Sequence, residues 1–213
     1  MTGPQMSMNK VIQGAVRRDL DRFVSALAAF PAGDQRRADE LQSAWENFDD
    51  QLHHHHTGEH EIAWPALQRV GVSAEVLAAM DAEHDTMALA LTTAGEALGA
   101  LVQTPDSARA ADARAAFEQL RAVTVTHLDH EEAEIEPVYL ANHDHPAVVE
   151  MSRQFSKDGG LAWGGRFLTW LLDGATPQER AAVDASVPRP VRTVLVGVFG
   201  RDYRRKVAPV WSR

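Results

Sequence analysis

Histidine and glutamate recur at one spacing in this chain: His55 and Glu59 stand four residues apart, and so do His127 and Glu131. On a helix that spacing puts both side chains on one face, one turn apart. Imidazole and carboxylate are natural donors for a divalent transition metal. His84 stands alone between the pairs, and Gln13 places an amide near the N-terminus. Each falls on a stripe of apolar residues spaced three and four apart, with neighbours such as Leu20, Phe48, Met87 and Leu120. An uncompensated charge facing such an interior costs several kcal/mol. A bound cation removes that cost, so the pattern points to metal chemistry. A hydrogen-bonded His–Glu core pair is the bland alternative, and the second occurrence of the pair weighs against it.

The rest of the composition narrows the chemistry. The chain has 213 residues and no cysteine, which excludes thiolate ligands, disulfides and cysteine nucleophiles. Any metal must be held by nitrogen and oxygen. No nucleophile triad, phosphate-binding loop or dinucleotide fingerprint is present. A formal net charge of −9 argues against nucleic acid and anionic membrane surfaces as partners. No apolar run approaches the roughly 18 residues of a membrane span. Met1 to Lys10 has no apolar signal segment, so a cytoplasmic protein is expected.

Helices must position these donors. The pattern predicts helices over about Asn9–Phe30, from Arg37 past Glu61, Ser73–Val102 and Ala108–Glu136. Pro31, Gly33 and Asp34 mark the first turn, and Pro105 and Asp106 the last; Pro65 ends or kinks the second helix. Helices are also expected from about Ala147 to Asp173, after the Thr176 cap, and in a last segment ending near Val207. Residues 1–145 are read as the bundle and 146–213 as a C-terminal helical extension packed on it. Phe155, Leu161, Trp163, Phe167 and Trp170 are expected in its core, over the open end of the bundle.

The two hairpins repeat. A shift of 72 residues carries His55 onto His127, Glu59 onto Glu131 and Pro65 onto Pro137, and a shift of 71 carries Gln13 onto His84. In an antiparallel up-down-up-down bundle, all six donors then reach one level. Within the run His53 to His56, only His55 falls on the seam; His53, His54 and His56 are expected at the surface or behind the ligands. His60 and His130 stand one step off the seam and are expected to be exposed. Glu61, Glu132, Glu134 and Glu136 are expected to form a solvated acidic rim.

A lone donor, His-x-x-x-Glu, a lone His and a second His-x-x-x-Glu resemble the pattern of the hemerythrin-like family, the HHE cation-binding domains. The resemblance covers roughly residues 9–140 and includes His53 through Trp64-Pro65 and Arg17-Arg18-Asp19-Leu20. It implies an all-α four-helix bundle around an oxo- or hydroxo-bridged di-iron centre. Glu59 and Glu131 would bridge, His84 and His127 would serve one iron, and His55 the other. Gln13 departs from the family, which usually has histidine there, and no histidine precedes His53. The second metal position is therefore expected to be weaker and more open, and a single-metal site stays open as an alternative. Manganese and zinc suit the same donors. Two functions follow: an oxidoreductase acting on dioxygen, peroxide, nitric oxide or a small substrate, or a module that binds or senses dioxygen, nitric oxide or iron without turnover.

Overall fold

Polar caps start the four long helices. Ser7, Asp34, Ser73 and Asp106 each accept a hydrogen bond from a backbone N–H three residues on. Such caps are worth about 1 kcal/mol each. The computed structural model describes residues 6–212. Its first five helices are α1 (Met8–Ala28), α2 (Gln35–Gly58), α3 (Trp64–Gln68), α4 (Ala74–Gln103) and α5 (Ser107–Glu134). No strand occurs among the described residues.

The predicted stripes turn inward. Leu20, Phe23, Phe48, Leu52, Met87, Leu98, Phe117 and Leu120 are fully buried in one core. The Phe23 ring lies 4.7 Å from Phe117 and 5.9 Å from Phe48, centroid to centroid. Helix α5 packs on α4 and α1, and α2 packs on α4. The backbone N–H of Gly33 donates to the Pro105 carbonyl at 2.5 Å, so the α1–α2 and α4–α5 turns share one end. At the other end Ser7 bonds Glu136, and Asn9 bonds Glu131. The donor residues belong to that second end.

Helix α2 does not run on to Pro65 in α geometry. Glu59–Ala63 winds into a π-helical turn, and α3 follows it. Pro65 lies in the first turn of α3, where a missing N–H costs nothing. Single π turns inside α-helices occur frequently at functional sites.

The extension comprises α6 (Glu136–Ala141), α7 (Pro146–Lys157), α8 (Gly160–Leu172), α9 (Pro177–Ser186), α10 (Arg189–Val194) and α11 (Arg201–Lys206). A second π turn, Leu195–Phe199, joins the last two. The segment expected as one helix from Ala147 to Asp173 is two, because Gly159 and Gly160 both adopt φ of 71°. Gly165 is needed for another reason: a Cβ there would come within 2.7 Å of the Leu195 carbonyl oxygen.

Trp170, Val183, Tyr203 and Val210 join the same core as α1, α2, α4 and α5. Buried Asp19 on α1 accepts from Trp170 Nε1 at 2.7 Å and pairs with Arg18 and Arg22. Three apolar residues expected in the core, Phe155, Leu161 and Trp163, are not part of it. Leu161, directly after the glycine turn at the start of α8, is 67% exposed, and Phe155, near the end of α7, is 37% exposed. No helix among the described residues is long and apolar enough to cross a membrane.

Candidate metal centre

Four histidines and two glutamates converge where α2, α4 and α5 meet. His84 Nε2 and His127 Nε2 stand 3.1 Å apart. His84 Nε2 lies 3.4 Å from one Glu59 oxygen, and His55 Nε2 lies 3.1 Å from the other. These glutamate contacts are close without being aligned as hydrogen bonds, because His55 Nε2 and both Glu59 oxygens are left without a partner. The donors form two sets, each spanning no more than 4.8 Å: His56, Glu59, His84 and His127, and His55, Glu59 and Glu131. Glu59 belongs to both.

His56 corrects the sequence reading. It was expected at the surface or behind the ligands, yet its ring stacks on His84 at 4.0 Å. The seam rule selects one stripe, whereas His56 sits about 100° round the helix from His55, on the side facing α4. A signal existed: His56 and Glu59 are three apart, the other same-face spacing. Gln13 lies beside the second set. Its Nε2 donates to Glu131 at 2.5 Å, and its buried Oε1 has no partner. Asn9 donates to the other Glu131 oxygen at 2.8 Å.

The surrounding residues divide. His53 is exposed, and His54 packs on Trp163 at 3.8 Å and pairs with Asp158 at 2.9 Å. Exposed His60 pairs with Asp81, which also accepts from Trp64 Nε1 at 2.8 Å. His130 is held by Glu83 at 2.8 Å, and the same carboxylate reaches His127 Nδ1 at 2.9 Å. Sequence periodicity gave no sign of Glu83, because its partners lie on another helix. The rim is not uniformly solvated: Glu132 pairs with Lys10 and Arg17, and Glu136 caps the start of α1 through Ser7.

Burial disfavours charge on His55, His56 and His84 and on the Glu59 carboxylate. Burial first, then neighbouring histidines, pushes His55 down to about 3 and His84 to about 4, and holds His56 well below its usual range. Burial, then the Glu131 charge, pushes Glu59 well above the usual carboxylate range, and burial also raises Glu131. Burial raises Glu83, but hydrogen bonds from His127 and His130 outweigh it and keep that carboxyl low.

These side chains fit a metal. Buried His55 Nε2, His56 Nε2, both Glu59 oxygens and Gln13 Oε1 carry lone pairs that nothing in the chain satisfies. Leaving them so would cost roughly 1–3 kcal/mol each. Two nitrogens at 3.1 Å match donors on one ion, whose metal–nitrogen bonds of about 2.1 Å put neighbouring donors about 3 Å apart.

Residues 13–139, more than half of the 213-residue chain, match the sequence profile of the hemerythrin HHE cation-binding domain. No curated protein and no solved structure matches the chain. Together with the His and Glu donors brought to one end of its helices, that match shows that the chain belongs to the hemerythrin HHE cation-binding domain family.

Proposed function

We propose that the chain holds two iron ions in an up-down-up-down four-helix bundle and acts as an oxidoreductase on dioxygen, peroxide or nitric oxide. The observation that carries this is Glu59, a single buried carboxylate common to both donor sets. His56, His84 and His127 would hold one ion; His55 and Glu131, with the free Gln13 oxygen, would hold the other. Bound iron supplies one-electron redox chemistry and an open position for a small ligand.

The chain's own residues prepare that position. Fully buried Leu52, Met87 and Leu128 stand within three residues of His55, His84 and His127 and would keep water from the inner side. Asn9 and Gln13 orient Glu131. An amide oxygen is a poorer iron donor than imidazole, so the half of the centre near Gln13 is the weaker and more open one. Manganese and zinc compete for the same donors, since ligand type alone does not choose among them.

The test is metal analysis with anomalous scattering on protein purified without added metal, followed by peroxide turnover. Two iron ions per chain are expected, with turnover that disappears in Glu59→Ala and His127→Ala. A fully metallated protein inert towards peroxide, dioxygen and nitric oxide rejects the proposal. Stoichiometric, reversible binding of nitric oxide without turnover selects a sensing module instead. That second reading is favoured by His54, which is gripped by Trp163 and Asp158 of the extension beside His55 and His56.

A further inference from the structure

The geometry points to Glu83 as the positioning residue of the nitrogen-rich half: clasped by His130, it fixes the ring of His127 and turns its Nε2 lone pair towards the centre. This rests on the proposed metal-centre reading and adds residues to it that belong to neither donor set.

One Glu83 oxygen lies 2.9 Å from His127 Nδ1, and the other lies 2.8 Å from His130 Nδ1. An ionised carboxylate only accepts hydrogen bonds, so each ring must present its N–H at Nδ1. A neutral imidazole has one N–H. In the neutral ring a proton at Nδ1 leaves Nε2 of His127 as a bare lone pair, and this atom faces His84 Nε2 at 3.1 Å. Without the carboxylate, the proton is free to sit on Nε2 and be donated to His84. That arrangement satisfies both rings with each other and blocks both as ligands. Glu83 therefore decides between a pair of ligands and a closed histidine pair.

The placement also explains His130. Glu83 stands on α4 beside His84, while both of its partners stand on α5. Its side chain is partly exposed in a cleft of about 250 Å³, lined also by Thr86, Val123, Thr126 and His127. A lone glutamate in such a cleft has rotamers that reach water. A second hydrogen bond, from the next turn of α5, holds the carboxylate against His127. The clasp spans α4 and α5 at the level of His84 and His127. Carboxylates behind metal-bound histidines have this effect generally, and their loss costs roughly 10–100-fold in metal affinity.

The experiment uses the full chain, with 15N-labelled histidine, as wild type, Glu83→Gln, Glu83→Ala and His130→Ala. Long-range 1H–15N spectra of metal-free protein read the His127 tautomer directly. Release of iron(II) into excess chelator reads retention. Wild type is expected with the proton on Nδ1. Glu83→Ala moves it to Nε2 and speeds iron release by about 10–100-fold. Glu83→Gln keeps an amide oxygen for His127 and stays within a few-fold of wild type, and His130→Ala falls between. A wild-type His127 protonated on Nε2, or a tautomer and release rate unmoved in Glu83→Ala, overturns the inference; should that variant not fold, the wild-type spectrum and His130→Ala decide it. Wild type that binds neither iron, manganese nor zinc defeats the metal-centre reading itself, a separate and recognisable failure.

Discussion

The two hairpins, α1–α2 and α4–α5, each contribute histidine to the centre but place it differently. His55 and Glu59 correspond to His127 and Glu131, yet Gln13 stands opposite His84, and His56 opposite Leu128. The first hairpin lacks a histidine on its first helix and has an additional one on its second. Both hairpins therefore bring two histidines, but the exchange puts three on one donor set. The repeat in the sequence is close to regular, and single-residue differences make the two donor sets unequal. The surroundings differ as well. Glu83 corresponds to Ile12, and His130 to Gly58. In the second hairpin those positions form a carboxylate clasp; in the first, Gly58 lies under Phe155 of the extension.

The largest break in this picture should come at the residue both halves share. Glu59→Gln is expected to weaken metal affinity by more than about 1000-fold, roughly 4 kcal/mol or more per ion. The same variant should leave the melting temperature of metal-free protein unchanged or raised, because a neutral amide replaces a carboxyl that burial disfavours as an anion. Metal analysis and calorimetry check the two halves of this statement. A Glu59→Gln protein that keeps both ions would remove Glu59 from the centre.

Next comes the exchange itself. His56→Leu copies Leu128 into the first hairpin, and Gln13→His copies His84. The first should weaken the nitrogen-rich half by more than the roughly 100-fold that outer residues cost. The second should tighten the other half by about tenfold, about 1.4 kcal/mol. Stepwise metal titration separates the two. Equal effects on both ions would mean that the asymmetry of donors has no energetic counterpart.

A pH test isolates the buried imidazoles. His55 and His84 titrate at about 3 and about 4 in the fold, below the ordinary 6.5, and His56 is lowered too. The unfolded chain then takes up protons first as pH falls, so stability drops between about 6.5 and 4. Glu59 works in the opposite sense: its raised value loses stability as pH rises above the ordinary 4.5. Metal-free Glu59→Gln removes much of that opposing contribution. Its melting temperature should fall steadily from pH 6.5 to 4, and a flat profile contradicts neutral buried histidines.

How much of this was legible depends on whether a feature lies along one helix or between helices. The caps at Ser73 and Thr176, the turns at Pro31–Asp34 and Pro105–Asp106, and the inward stripes are local, and the structure places them where periodicity put them. The pairing of His55 with Glu59 follows from spacing as well. His56 needed the direction of α4, and Glu83 needed the neighbours of α5. The π turn over Glu59–Ala63 left no trace in composition. Leu161 and Phe155 read as core because they are apolar, but Leu161 follows the Gly159–Gly160 turn and faces out, and Phe155 lies on α7 against Gly58 at the surface.

The smallest expected effect probes that outer contact. A Cβ on Gly58 would meet Phe155 Cε1 at 2.6 Å. Phe155 is partly exposed, so its ring can yield. Alanine also gains about 1 kcal/mol of helix propensity over glycine. The two terms oppose, and Gly58→Ala should change stability by less than about 1 kcal/mol. Gly58→Ala with Phe155→Ala keeps the propensity gain and removes the clash, so the propensity gain that Phe155 masks should reappear on the Phe155→Ala background. A double-mutant cycle by chemical denaturation measures the difference, which should be positive. A cycle that closes at zero means the ring does not press on Gly58.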